Sequence, residues 1–425
     1  MSCDEWKSGK LGDVCFNITD GKHGDCKNQG NSGYFFVSVK DIYNDKINYQ
    51  NARQITAADF IETHKRTKLG PNDILITNSG TIGRMALVKD GEKTKRTTFQ
   101  KSVAIIKPNT KIVDAYYLFY NIRANIKRLA GLAGGTTQKN LLLKDIRNFS
   151  IKYPPLPNQK AIADTLSCLD DKIELNNRIN KTLEEMAQAI FKSWFVDFEP
   201  FQDGEFEDSE LGPIPKGWRV GPVEELCEIQ IGGDWGKDAN LPGLVPVICL
   251  RGTDLQKIKE TGYSEEAPQR WVKPSSIDNR ALTNHDIIIG GSGLGPVGRS
   301  ICFDDTIEQL YPHPVTYSNF CKRVKAYSRS DANYIEQIIE MLYVRGDLKR
   351  NYVNGTSVPN LDLQGLMKHR VVIPPENVVS KFAALKQRIF KLKCSGENPQ
   401  LARVRDTLLP KLMSGEIRVP IEEVQ

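Results

Sequence analysis

The sequence predicts an α+β chain built twice, with two pseudo-repeated mixed α/β domains separated by two long helices packed as an antiparallel coiled coil. Three observations predict it. A set of short segments recurs in one order with a period near 212–220 residues across the 425-residue chain. A Pro-Pro pair closes each mixed region, at Pro154-Pro155 and Pro374-Pro375. A stripe of apolar residues at heptad spacing follows each pair.

The repeat opens with Trp6-Lys7-Ser8-Gly9, matched by Trp218-Arg219-Val220-Gly221, and with Cys15 opposite Cys227. Asp73-Ile-Leu-Ile-Thr-Asn-Ser-Gly80 matches Asp286-Ile-Ile-Ile-Gly-Gly-Ser-Gly293. Gly83-Arg84 then matches Gly298-Arg299, after two inserted residues. Gly135-Thr-Thr-Gln-Lys-Asn-Leu141 matches Gly355-Thr-Ser-Val-Pro-Asn-Leu361. Runs rich in Val, Ile and Phe, such as 34–39 and 102–106, read as strands. Helical periodicity appears over 115–129 and 333–345. The copies differ at most other positions, as expected of one framework serving two related jobs on different targets.

After the first Pro-Pro pair, residues 158–195 contain neither Pro nor Gly. Ile162, Leu166, Leu169, Ile173, Leu183, Ala187, Ile190 and Trp194 recur in alternating steps of four and three, with Asn176 and Asn180 in the two seam positions between. Such a helix is roughly 55 Å long at 1.5 Å per residue and needs a partner for its stripe. Phe382, Leu385, Ile389 and Leu392 offer one. Gly396 and Pro399 interrupt that seam; Leu401, Val404, Leu408 and Leu412 resume it; Ser414-Gly415 ends it. The alternative is that each helix packs on its own domain. Buried Asn at a seam position fixes register; the alternative is that both Asn face water.

Hydrophobic residues make up 40% and charged residues 26%, which excludes a disordered or collagen-like chain. No apolar run approaches the roughly 18 residues of a membrane span, and the polar N-terminus shows no secretory signal. Nine Cys without a C-x-x-C pair predict free thiols in a reduced, cytoplasmic setting. The net charge of +6 is uneven: residues 1–150 carry 24 Lys+Arg against 14 Asp+Glu, and residues 151–210 carry 6 against 13. The basic first region points to a polyanion partner.

Catalytic motifs are missing. There is no Walker A, H-E-x-x-H or G-x-S-x-G, no N-P-P-Y-type methyltransferase loop, and the five His have no metal-ligand spacing. Gly293-Leu-Gly-Pro-Val-Gly298 matches G-x-G-x-x-G, but a dinucleotide site needs a helix to start there. The β-prone Arg299-Ser-Ile-Cys-Phe303 follows instead, so a Gly-rich turn between two strands is the better reading.

The stretch Trp194-Phe-Val-Asp-Phe-Glu-Pro200, followed by Ser209-Glu-Leu-Gly-Pro-Ile-Pro-Lys-Gly-Trp218, resembles the joint in specificity subunits of type I restriction–modification systems. The Asn-Leu pairs at 140–141 and 360–361 and the Pro-Pro boundaries are similar to the family pattern too. The resemblance spans the whole chain, with the interrupted second helical region as a departure. It implies target-recognition domains at 1–157 and 216–375, a central conserved helical region at 158–199, a linker at 200–215 and a C-terminal conserved helical region at 376–425. It also implies a non-catalytic reader of a split, asymmetric site in double-stranded DNA. The helices would set the gap and dock modification (methyltransferase) subunits, to which restriction (translocase/endonuclease) subunits add. No cofactor is expected in this chain; S-adenosylmethionine belongs to the partner methyltransferase. A coiled-coil adaptor without DNA readout and a nucleotide-dependent enzyme are the competing classes.

DNA contacts need Lys, Arg, Asn, hydroxyls and backbone amides. Candidates in the first domain are Lys22, His23, Asn78, Ser79, Thr81, Arg84, Lys93, Lys95 and Arg96. In the second they are Arg251, Ser292, Arg299, Lys322 and Arg323. Thr136-Thr137 and Thr356-Ser357 are read either as DNA contacts or as caps of the short helices near Asn140 and Asn360.

Overall fold

A computed structural model describes residues 6–135, 139–355, 357–393 and 396–420. The chain forms two compact units. One comprises residues up to 172 together with those from 402; the other comprises 173–401.

In the first unit, the strands Cys15–Asp20, Val103–Pro108, Ile74–Thr77 and Met85–Leu87 make an antiparallel sheet in that order. Its inner strands are apolar without alternation, because both faces are covered: Ile74, Leu75, Ile76, Ile105 and Ile106 are all fully buried. A three-stranded sheet runs Arg53–Gln54, Phe35–Val37, Thr97–Phe99, with its last pair parallel. Lys7–Lys10 pairs with Ser150–Tyr153 and so closes the region on itself.

The second unit repeats this plan. Cys227–Ile229, Cys321–Ala326, Asp286–Gly290 and Ser300–Cys302 form the four-stranded sheet. Gln269–Val272, Val245–Leu250 and Val315–Tyr317 form the three-stranded one, again with a parallel last pair. Arg219–Pro222 pairs with Arg370–Ile373. The sequence repeat is therefore a repeat of topology. It extends to polar anchors: Tyr117 Oη donates to Lys152 O at 3.1 Å, and Tyr334 Oη donates to Val372 O at 2.5 Å. The aspartate at the start of the matching strands is paired in both copies but by different positions: Asp73 by Lys107 at 2.5 Å, and Asp286 by Arg323 at 2.7 Å, two residues from its register partner Lys325.

The helix Leu156–Phe195 is continuous over 40 residues, or about 60 Å at 1.5 Å per residue. Gln159, 1% exposed, ties its first turn to the first domain by accepting from Asp114 N and donating to Ile112 O and Pro154 O. The C-terminal partner is two helices, Glu376–Lys393 and Glu397–Ser414. The break falls before Glu397, at Gly396 with φ +70°. Pro399 does not interrupt: it lies in the first turn, where no intrahelical N–H is needed.

The packing is antiparallel within each unit. In the first, Ile162, Ala163 and Leu166 share a core with Leu409, Leu412 and Met413, and Arg405 meets Asp170 at 2.5 Å. In the second, Asn176 donates to Glu397 and Asn398 at 2.8 Å, Lys393 meets Glu184 at 2.8 Å, and the rings of Phe191 and Phe382 lie 5.7 Å apart. Asn176 and the 5%-exposed Asn180 are therefore part of the seam and do not face water.

Part of the expected seam needs correction. Leu392 is 66% exposed; Lys386 and Lys393, at 9% and 4%, take the inward positions with Val379, Phe382 and Ile389. Leu385 is only half-buried. On the central helix, Leu169, Ile173, Leu183, Ile190 and Trp194 are half-buried, while Phe191 and Phe195 are buried. The inward lysines are neutralised. Lys386 Nζ donates to Glu336 Oε2 at 2.6 Å and Asn333 O at 3.0 Å, and Lys259 bridges Glu336 and Glu340. Burial alone would raise the Glu336 carboxyl. The ammonium groups of Lys259 and Lys386 outweigh burial and hold it below the usual carboxylate range.

Among the described residues no helix is long and apolar enough to cross a membrane, and no group of side chains could hold a metal ion. Seven described cysteines are free thiols; Cys3 and Cys394 lie outside the described residues.

Candidate nucleic-acid interface

The repeated turn joins two antiparallel strands in each domain. In the first, Ile74–Thr77 turns into Met85–Leu87. Thr77 holds the turn, donating through Oγ1 to Thr81 O at 2.6 Å and accepting from Arg84 N at 2.9 Å. In the second, Asp286–Gly290 turns into Ser300–Cys302, with Gly290 N donating to Arg299 O and Gly298 N to Gly290 O, each at 2.8 Å. No helix starts at Gly293–Gly298, so the segment matching a dinucleotide motif is a strand-to-strand turn. Its glycines serve packing: a Cβ on Gly290 would lie 2.0 Å from Pro296 O.

Main-chain hydrogen bonds gather three further segments at this turn. Lys22 N donates to Phe99 O, Lys101 N to Lys22 O, Asn78 N to Ser102 O and Leu141 N to Asn78 O, over 2.8–3.0 Å. Ser79 also bridges Asn140. The second domain repeats the arrangement: Asp234 N donates to Tyr317 O, Gly291 N to Phe320 O and Leu361 N to Gly291 O, and Ser292 bridges Asn360. Gly21 and Gly233 permit the close approach, since a Cβ there would sit 2.1 Å from Phe99 O and 2.3 Å from Ser318 O. The Asn-Leu pairs recur because each Leu amide closes the turn.

Lys22, His23, Asn78, Ser79, Thr81 and Arg84 thus belong to one surface of the first domain, and Ser292, Arg299 and Lys322 to the matching surface of the second. Arg84 is exposed, making only long contacts to Val39 O and Ile42 O at 3.3 and 3.5 Å. Arg299 is half-exposed and reaches Tyr343 Oη at 3.4 Å. Lys322 is exposed, with its stem over Gly291. Lys22 is less available, held by Glu62 at 3.3 Å and Asp59 at 3.6 Å. His23 is exposed beside Asp20 at 3.0 Å. Asn78 is buried, and its Oδ1 has no partner.

The other candidates lie elsewhere. Lys93, Lys95 and Arg96 precede the strand Thr97–Phe99, whereas the assembled surface lies beyond its end. Lys93 sits over the Tyr49 and Phe35 rings, Arg96 over Tyr34, and Lys95 pairs with Glu92 at 2.8 Å. Arg251 and Arg323 are corrected to structural roles. Arg251 grips Asp254 through Nε and Nη2 at 2.9 and 3.0 Å, at the start of the helix Gly252–Thr261. Arg323 is 5% exposed and donates two bonds to the fully buried Asp286. Thr136, Thr137 and Thr356 lie outside the described residues. Ser357 is exposed, and the helix Leu363–Met367 is capped by Asp362 instead.

Sequence reasoning missed Lys101, an exposed cation beside Ser102 within the assembled surface. It lies in the three-residue connection between the strands Thr97–Phe99 and Val103–Pro108. Sequence reasoning also missed the exposed apolar residues Leu294, Phe320 and Val358, whose signal was their place in or beside the repeated segments.

The family profile described as "Type I restriction modification DNA specificity domain" matches residues 3–185. The chain is 26% identical over 401 residues to the specificity subunit of the type I restriction enzyme MjaIX of Methanocaldococcus jannaschii, covering 90% of this chain and 87% of that one. It is 26% identical over 475 residues to the HindI specificity subunit of Haemophilus influenzae, covering 97% and 100%. The crystal structure of a type I restriction–modification S subunit from M. genitalium superposes with a TM-score of 0.53 at 16% identity, over 96% of each chain. With the duplicated domains and the antiparallel helices, these likenesses make the chain similar over nearly its whole length to type I restriction–modification specificity subunits.

Proposed function

We propose that this chain is the non-catalytic DNA-reading subunit of a type I restriction–modification complex acting in the cytoplasm. Each mixed domain, 1–157 and 216–375, reads one half of a split site. The helical regions at 158–199 and 376–425, with the linker at 200–215, dock the methyltransferase subunits, and restriction subunits add to that core. S-adenosylmethionine belongs to the methyltransferase subunit.

One observation carries this reading. The same four-segment surface is built by the same main-chain bonds in two domains, while its side chains differ. A shared scaffold with divergent polar and apolar tips is what two independent base-readers require: backbone contacts position, and side chains specify. Exposed Lys101, Arg84 and Lys322 supply cations for phosphate.

Reconstitution tests it. Purified chain with S-adenosylmethionine and DNA should transfer no methyl groups until a modification subunit is added, and should then give site-specific methylation. Methyl transfer by the chain alone overturns the non-catalytic assignment. Methylation whose motif does not depend on this chain overturns DNA reading.

A further inference from the structure

The two assembled surfaces differ in one consistent way. Thr81 in the first domain's turn corresponds to Leu294, and Ser102 corresponds to Phe320, since Asn78 N bonds Ser102 O as Gly291 N bonds Phe320 O. In the Asn-Leu segment, Gln138 corresponds in sequence to Val358. Polar positions of one copy are thus apolar in the other. Leu294 is 81% exposed, Phe320 63% and Val358 61%.

These three residues come from segments tied together by main-chain bonds. Gly291 N reaches Phe320 O at 2.8 Å, Gly293 N reaches Pro359 O at 3.1 Å, and Leu361 N reaches Gly291 O at 2.8 Å. Three large apolar side chains left in water at one place mark an interaction surface. The exposed Lys322 beside Gly291 argues for an anionic partner. Meanwhile two of the three arginines expected in this domain are held by carboxylates, Arg323 by Asp286 and Arg251 by Asp254, which leaves Arg299.

Resting on the DNA-reading function proposed above, we infer that the second domain reads its half-site through apolar contact with thymine 5-methyl groups in the major groove. Leu294 and Phe320 are the contacting residues, and Lys322 anchors the adjacent phosphate. The thymine methyl is the one apolar group on a base edge, and it distinguishes A·T from the other pairs.

The test uses the assembled complex with its modification subunits and duplexes carrying its mapped site. Replacing thymine by deoxyuridine in the half-site that follows residues 216–375 removes only methyl groups. Each lost contact should weaken binding about four-fold, the ~0.8 kcal/mol of one buried carbon at ~1.4 kcal/mol per decade. Leu294→Ser and Phe320→Ser should each bind thymine and deoxyuridine duplexes more nearly alike, with an unchanged melting temperature because both residues are exposed. Wild-type indifference to deoxyuridine in that half overturns the inference and leaves DNA reading intact. Variants that keep full thymine discrimination, or that lose assembly with the modification subunits instead, also overturn it. A wild-type complex with no site-specific binding overturns both proposals.

Discussion

Replacing Arg323 with alanine is expected to unfold the second mixed domain more readily, not to remove a DNA contact. The guanidinium makes bonds of 2.7 and 2.9 Å to Asp286 and a third of 3.1 Å to Asn279 O. The partners are 5% and 0% exposed. Removing Arg323 leaves a carboxylate with no access to water and only the Thr283 amide and hydroxyl as donors. Breaking such a pair from one side costs about 3–5 kcal/mol. For a domain of about 150–250 residues each kcal/mol shifts the melting temperature by about 2–4 °C, so a drop of roughly 6–20 °C follows. Calorimetry of the full chain measures it, and hydrogen exchange should show the loss in the strands Asp286–Gly290 and Cys321–Ala326. The double variant Arg323→Met with Asp286→Leu should recover much of it, because apolar replacement of both buried charges is often close to neutral. A single variant that melts within roughly 2 °C of the parent yet binds DNA more weakly would refute the burial argument.

Arg84→Ala and Arg299→Ala should leave stability unchanged and weaken DNA binding. A base contact would cost ~1–3 kcal/mol and relax one position of the motif; a phosphate contact would lower the salt slope by about one and keep the motif. Unchanged binding by both variants refutes the placement of the interface. Inserting four residues beside Asn176 and four at the break before Glu397 lengthens each helical path by roughly 6 Å. The half-site sequences should persist while the gap grows by about two base-pair steps of ~3.4 Å, and a constant gap would mean that the helices do not set the spacing. Burial holds His64 and His369 below the ordinary histidine value. Below about pH 6.5 the unfolded chain takes up protons that the folded chain refuses, so stability falls as pH drops from that value towards the depressed folded values. Urea midpoints between pH 7.5 and 5 check the sign, and His369→Gln should flatten the slope.

The duplication was readable because its signals are backbone requirements. Gly83 and Gly298 take positive φ in the repeated turns, the Asn-Leu pairs close those turns, and the Pro-Pro pairs end the mixed regions. Ile162 and Leu166 were readable because an unbroken apolar period leaves one inward face. Leu392 was misread for a physical reason. Its spacing from Ile389 fits a seam, but Lys386 and Lys393 take the inward positions, neutralised by Glu336 and Glu184, which are 50 and 209 residues away. Arg323 was misread because its partner Asp286 lies 37 residues earlier, on a neighbouring strand. Arg251 is different: Asp254 is three residues on, in plain view as a helix-start pair. Lys101 carried no motif, and only the register of the sheet brings it beside the repeated turn.

The central claim is that two structurally duplicated domains read separate halves of one DNA site. Its most direct measurement is the genome-wide methylation motif of cells in which residues 1–150 are exchanged for the same region of a relative. One half of the motif should change, while the other half and the gap are retained. A change in both halves, or in neither, would contradict independent reading by the two domains.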